Sequence, residues 1–185
     1  MPRFAGGGAM EEIIRKMLVA LGEDPMRQGL EKTPARVAKA YGDLTSGYDV
    51  DTGALLEGAL FEDSSTGAVV CRNIHFVSMC EHHLLPFFGR ALIVYIPNGR
   101  LVGISKLVRL TQAFARRLQV QERMGQQILD AIQETLAPKG VLVQLEATHL
   151  CMVARGVRQQ DARMETLHTN GVFQDNPALA GLYLK

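Results

Sequence analysis

The chain has 185 residues, 47% hydrophobic and 21% charged, with a formal net charge of +1. That is enough chain for one domain with a substantial core and too little for two large ones. No stretch approaches the roughly 18 consecutive apolar residues of a membrane span, the first residues lack a basic-then-apolar secretory pattern, and the near-neutral balance argues against a general nucleic-acid surface, so the expected setting is the cytoplasm.

Residues 1–9 carry a glycine run without apolar periodicity and are expected to form a frayed terminus rather than a phosphate loop. From Met10, the positions Ile13, Ile14, Met17, Leu18 and Leu21 recur at helical spacing until Gly22 and Pro25. Thr33 then stands as an N-cap before Pro34 and opens a second helix that runs to the Thr45-Ser46-Gly47 break. These N-terminal helices occupy residues 10–48, and the stretch from Asp49 to Gly67 reads as a connector.

The second half changes period. Ala68 to Met79 is rich in Val, Ile and Phe and is predicted as a strand, while Arg90–Ile96 and Arg100–Ile104 flank Pro97-Asn98-Gly99 as a β-hairpin. Ser105 is placed to cap a helix reaching about Leu118, with Leu107, Leu110, Phe114 and Leu118 inward. A further helix is predicted from Gln121 to about Leu136, before Pro138 and Gly140, and a long strand from Val141 to about Arg155. Two helices, strands, two helices and strands again imply an α+β fold, an antiparallel sheet with helices on one face, in a single domain over residues 10–185.

The chain has 3 cysteines and 5 histidines. An odd cysteine count in a chain of this kind fits thiols that meet a metal better than a disulfide framework. In a strand from Val141 to Arg155, alternation puts His149, Cys151 and Arg155 on one face. Cys80-Glu81-His82-His83 follows a strand end, and a three-residue offset on a tight turn lets Cys80 and His83 converge while His82 aims elsewhere. Two thiolates and one imidazole suit zinc, and three protein ligands leave a fourth position for water, the mark of a catalytic site. The bland alternative is two core thiols beside a solvent-facing histidine. Cys71 and His75 lie on the opposite face if Ala68–Cys80 is regular, and they read as a small buried hydrophobe and a hydrogen-bonded strand histidine.

The run Ser78-Met79-Cys80-Glu81-His82-His83-Leu84-Leu85-Pro86-Phe87 resembles the zinc signature of the GTP cyclohydrolase I family. Lys32-Thr33-Pro34-Ala35-Arg36-Val37, Gly103-Ile104-Ser105-Lys106-Leu107, Arg116-Arg117-Leu118-Gln119-Val120-Gln121-Glu122-Arg123 and His149-Leu150-Cys151-Met152 resemble its other motifs, in the same order. The resemblance covers most of residues 10–173. It implies the T-fold, with a catalytic core over 65–175, and cytosolic homodecamers of two pentamers whose sheets close into barrels, with sites at subunit boundaries. It implies a Zn2+ ion held by Cys80, His83 and Cys151, proton transfer by His82 and His149, and attack of water on C8 of GTP. Formate then leaves and the ring recloses to 7,8-dihydroneopterin triphosphate.

On the same resemblance, Glu122 with Gln121 reads the guanine edge, since a carboxylate accepts two hydrogen bonds from N1–H and the exocyclic amine but meets unpaired acceptors on adenine. Ser105, Lys106 and Arg109 near a helix start, Arg155, and Arg36 from a neighbouring subunit would clamp the triphosphate. The segment from Gln159 to Asn170 is bulkier and more charged than the family pattern. This leaves open a family member that binds zinc or purine nucleotide without turnover, or another T-fold pterin or deazapurine enzyme. The missing H-x-E and P-C-x-x-C pattern argues against a zinc nucleobase deaminase.

Overall fold

In the computed structural model, residues 7–184 are described. Helix α1 (Gly7–Ala20) begins before the expected Met10, and residues 1–6 of the expected frayed terminus lie outside the described residues. It packs on α2 (Thr33–Thr45), so only Ile14 and Leu18 of its apolar series are buried. Ile13, Met17 and Leu21 are exposed, because one partner helix covers a narrower stripe than their spacing implied. Lys32, not Thr33, occupies the N-cap of α2, which places Pro34 in the first turn where its missing N–H costs nothing.

The expected connector holds more structure than its composition suggested: a 3-10 turn (Ser46–Asp49), α3 (Thr52–Glu57) and β1 (Leu60–Glu62). Asp51 caps α3 by accepting from the Ala54 N–H at 3.0 Å. Gly47 passes so close to the end of the next long helix that a Cβ would sit 2.0 Å from the Ala113 carbonyl oxygen.

The five-stranded sheet combines β2 (Val69–Cys80), β3 (Pro86–Ile96), β5 (Leu118–Gln119), β6 (Gly140–His149) and β7 (Met164–Thr169). Its order is β5-β2-β3-β6-β7, antiparallel throughout except for the short parallel pairing of β5 with the end of β2. Helices α4 (Ile104–Ala115) and α5 (Gln121–Leu136) lie on one face. Their Leu107, Leu110, Phe114, Met124, Ile128 and Ile132 meet Phe76, Ile93, Tyr95, Val143 and Leu145 of the sheet. Each such side chain contributes roughly 1.5–3 kcal/mol on leaving water. Across the sheet, Leu92, Val94 and Leu142 are covered at one end by Phe173 and Ala180 of the short C-terminal helices α7 (Val172–Asp175) and α8 (Pro177–Gly181).

The α+β class and the main helical layer agree with the sequence, but several local expectations do not. The hairpin across Pro97-Asn98-Gly99 is not formed: β4 (Arg100–Val102) leaves β3 and pairs with β1, and the Val102 N–H donates to the Tyr95 hydroxyl at 3.3 Å. β3 already has β2 and β6 as neighbours, so no edge remained for β4. Gly103 rather than Ser105 occupies the N-cap of α4, and α4 stops at Ala115, leaving Leu118 in β5. A register shift between Cys71 and Ile74, with Asn73 at φ 56°, breaks the strand alternation. Cys71 consequently packs against the main core while His75 is exposed on the other face, so the two do not share a face. The second half of the charged segment from Gln159 to Asn170 forms the edge strand β7.

Candidate metal centre

The centre lies where β2 ends and β3 begins. Cys80 closes β2, its N–H donates to the Leu85 carbonyl at 2.9 Å, and Leu84, at φ 53°, donates back to the Cys80 carbonyl at 2.9 Å. This one tight turn displays Glu81, His82 and His83 in succession. The Glu81 N–H donates to the Gln119 carbonyl of β5 at 3.0 Å, and its carboxylate pairs with the Arg123 guanidinium of α5. That pairing holds the Glu81 carboxyl below the usual carboxylate range. Strand β5 and helix α5 thus pin the turn.

The third arm arrives differently from the sequence expectation. β6 ends at His149, whose partner across the sheet is Phe87, next to the first residue of β3; with β3 at its end, the chain turns into the short helix α6 (Leu150–Val153). Cys151 therefore sits on a helical turn and not on a strand face, so strand alternation does not explain its placement. The turn nevertheless brings it in: the donor atoms of Cys80, His83 and Cys151 all lie within 4.8 Å of one another. A tetrahedral ion with sulfur at about 2.3 Å and nitrogen at about 2.0 Å spaces its ligand atoms roughly 3.5–3.8 Å apart, so the trio bounds a space of about that size.

Electrostatics agree with a cation site. Burial first, and then the nearby Cys80 sulfur, push the Cys151 thiol up, while the charge of Arg155 pulls it down. Two sulfurs this close repel as thiolates unless a positive charge lies between them. The donor set, two thiols and an imidazole, is the kind that binds zinc and related borderline-soft ions.

Beside the trio, the His149 ring stacks on Phe87 with centroids 4.6 Å apart and planes 3° apart. Its Nε2 lies 2.9 Å from Gln121 Oε1. Burial pushes the His149 pKa down, and the charge of Glu122 opposes that. His82 is exposed and meets the His83 ring edge to face at 6.4 Å. Of the expected base-recognition pair, Glu122 is exposed at the start of α5. Gln121 is buried, with its amide nitrogen donating to the carbonyls of Leu145 at 3.1 Å and Met164 at 2.9 Å.

The residues expected to bind anions divide. Arg155 follows α6 and acts electrostatically on Cys151. Ser105, Lys106 and Arg109 do not join the cluster in the same chain. Met79 pairs with Pro86 at the metal end of the sheet, whereas Val69 pairs with Tyr95 at the other end, where Tyr95 holds β4. Helix α4 starts at that far end and spends its 12 residues, about 18 Å, returning to β5. Arg36 is exposed on α2, on a different side of the helix from Tyr41, whose hydroxyl lies 3.5 Å from the Leu84 carbonyl of the metal turn. The sequence assigns no role to Phe87 or to the Glu81–Arg123 pair, although all three residues stand inside recognisable motifs. Only strand register and helix placement reveal what they touch.

The family model described as GTP cyclohydrolase I matches residues 10–184. A GTP cyclohydrolase 1 of Leptospira biflexa is 53% identical over 175 residues, covering 95% of this chain and 96% of that protein. One of Alkalilimnicola ehrlichii is 46% identical over 176 residues, covering 95% of each. A third, of Chlorobium chlorochromatii, is 51% identical over 176 residues, covering 95% of this chain and 79% of that protein.

Proposed function

The chain belongs to the GTP cyclohydrolase I family, and from that premise we propose that Cys80, His83 and Cys151 hold a zinc ion. Beside it, the guanine imidazole ring of GTP is opened hydrolytically to formate and 7,8-dihydroneopterin triphosphate, the first step of pterin and tetrahydrofolate biosynthesis. The observation that carries this reading is the convergence of three metal donors, from two distant chain segments, next to a stacked histidine ring.

A zinc ion bound there supplies Lewis acidity that makes a water-derived nucleophile available near neutral pH. The protein's residues do the rest. His82 and His149 exchange protons with the purine and the opened ring, for which imidazole is suited because its reference pKa is about 6.5. Glu122 accepts from N1–H and the exocyclic amine, which favours guanine over adenine. Arg155 binds phosphate on the metal side.

Ser105, Lys106, Arg109 and Arg36 complete the triphosphate site from neighbouring copies. The position of the α4 start, at the sheet end away from the metal turn, supports this sharing for the first three. The open edges of the sheet support assembly: β5 covers only Met79 and Cys80 of β2, and β7 is the opposite edge. Extended side by side through these edges, copies would form the pentameric barrels of a homodecamer. The test is incubation of zinc-loaded protein with GTP, following fluorescent pterin and formate together. Equimolar release is expected, and full zinc occupancy without either product would overturn the reading.

A further inference from the structure

Gln121 is 1% exposed, and its amide can adopt only one orientation. The nitrogen donates to two backbone carbonyls, Leu145 of β6 at 3.1 Å and Met164 of β7 at 2.9 Å, and lies 3.4 Å from the Thr166 hydroxyl of β7. Carbonyl oxygens only accept, so the amide nitrogen must face them. A flipped amide would set its oxygen against both and leave a buried donor without a carbonyl partner. The oxygen is therefore the atom turned to His149 Nε2 at 2.9 Å. An amide oxygen only accepts, so Nε2 must carry the hydrogen. In the neutral ring Nδ1 then keeps the lone pair. Phe87, stacked flat on the ring, removes the remaining freedom to tilt.

We propose that Gln121 is a positioning residue that fixes the orientation and tautomer of His149, leaving Nδ1 as the atom that exchanges a proton with the substrate, and that it does not read the base. The inference rests on the proposed role of His149. It gives strand β7 a function despite its unusual composition: one of its carbonyls and one of its hydroxyls orient the Gln121 amide. The edge strand thereby acts on the site through Gln121 and His149. A ring held by one bond and one stack is a second layer of the kind whose loss typically costs about 10–100-fold.

Two measurements test this on the zinc-loaded protein. Gln121→Ala should lower kcat about 10–100-fold while KM for GTP stays within about threefold and zinc content is unchanged. A raised KM with kcat kept, as for a residue that binds guanine, would overturn it, and so would unchanged kinetics. Because a buried glutamine supports folding as well, the second measurement uses the unaltered chain. With histidine labelled by nitrogen-15, and the His149 signal identified from a His149→Asn sample, His149 should show the Nε2–H tautomer. An Nδ1–H tautomer would overturn the proposal. If the unaltered protein released no formate, the activity reading would fail, whereas the tautomer would still decide what Gln121 does.

Discussion

Phe87 and His149 are direct partners across β3 and β6, and their rings lie parallel at 4.6 Å. A fully buried phenyl thus serves as the platform of an imidazole beside the metal donors. Phe87→Leu retains most of the apolar volume but removes the flat surface. The expected cost in stability is about 1–2 kcal/mol, read by urea unfolding. The larger effect should be a fall in kcat with little change in KM, because the proposed proton-exchanging ring is loosened. A variant with normal turnover would show that the stack is only packing.

The proposed metal ligands and the proposed proton carriers make opposite predictions for neighbouring residues. Cys151→Ser or His83→Ala should abolish zinc binding and turnover together, since two remaining donors make a poor tetrahedral site. His82→Ala should keep one zinc per chain and lose turnover by at least about a hundredfold, the usual weight of a general acid or base. Metal content measured beside the rate separates the cases. An empty site in His82→Ala would reassign that ring as a ligand.

The convergence of Cys80, His83 and Cys151 is legible in the sequence, but only half for the reason given there. The Cys80–His83 spacing on a turn was sound, because a turn of that length is a local structure. Cys151 was placed by strand alternation, whereas the chain has already left β6 at His149 and entered α6. The length of a strand depends on its neighbour, and where β3 begins is not visible from residues near Cys151. The missing hairpin has the same origin. Pro97-Asn98-Gly99 does mark a turn, but the occupancy of both β3 edges by β2 and β6 is a property of the whole sheet. Amphipathic helices were easier: α5 spans the predicted Gln121–Leu136, since its apolar stripe and its stop signals lie within one window.

The contact between β7 and α5 should make stability depend on pH. His168 packs so tightly on Gly125 that a Cβ there would lie 2.5 Å from its Cδ2, and its Nε2 is buried without a hydrogen-bond partner. Burial pushes the His168 pKa down, against the opposing charges of Asp130 and Glu122. The unfolded chain, with its histidines near about 6.5, then binds more protons than the folded one as pH falls. Stability is complete above about pH 6.5 and declines below it. His168→Gln should flatten the decline in Tm between pH 7.5 and 5.5 relative to the parent, while His149 keeps its own share. Identical slopes would mean that His168 contributes nothing to it.

The far placement of the α4 start yields a test of subunit sharing that needs no structure of the assembly. Lys106→Ala and Cys151→Ser should each be inactive when expressed alone. If one site took both residues from the same chain, every chain in a mixture would carry a lesion, and mixing would restore nothing. If Cys151 comes from one chain and Lys106 from the next, some boundaries pair an intact metal turn with an intact α4. For random assortment at equal amounts in a ring, that happens at about a quarter of boundaries. Co-expression, or unfolding and joint refolding, should therefore recover up to about a quarter of the parent rate per chain. Recovery is expected because α4 begins where β4 joins Tyr95 and reaches the metal end of its own sheet only at β5. Absence of recovery, with mixed assemblies confirmed by mass, would mean that Lys106 and Cys151 of one chain serve the same site.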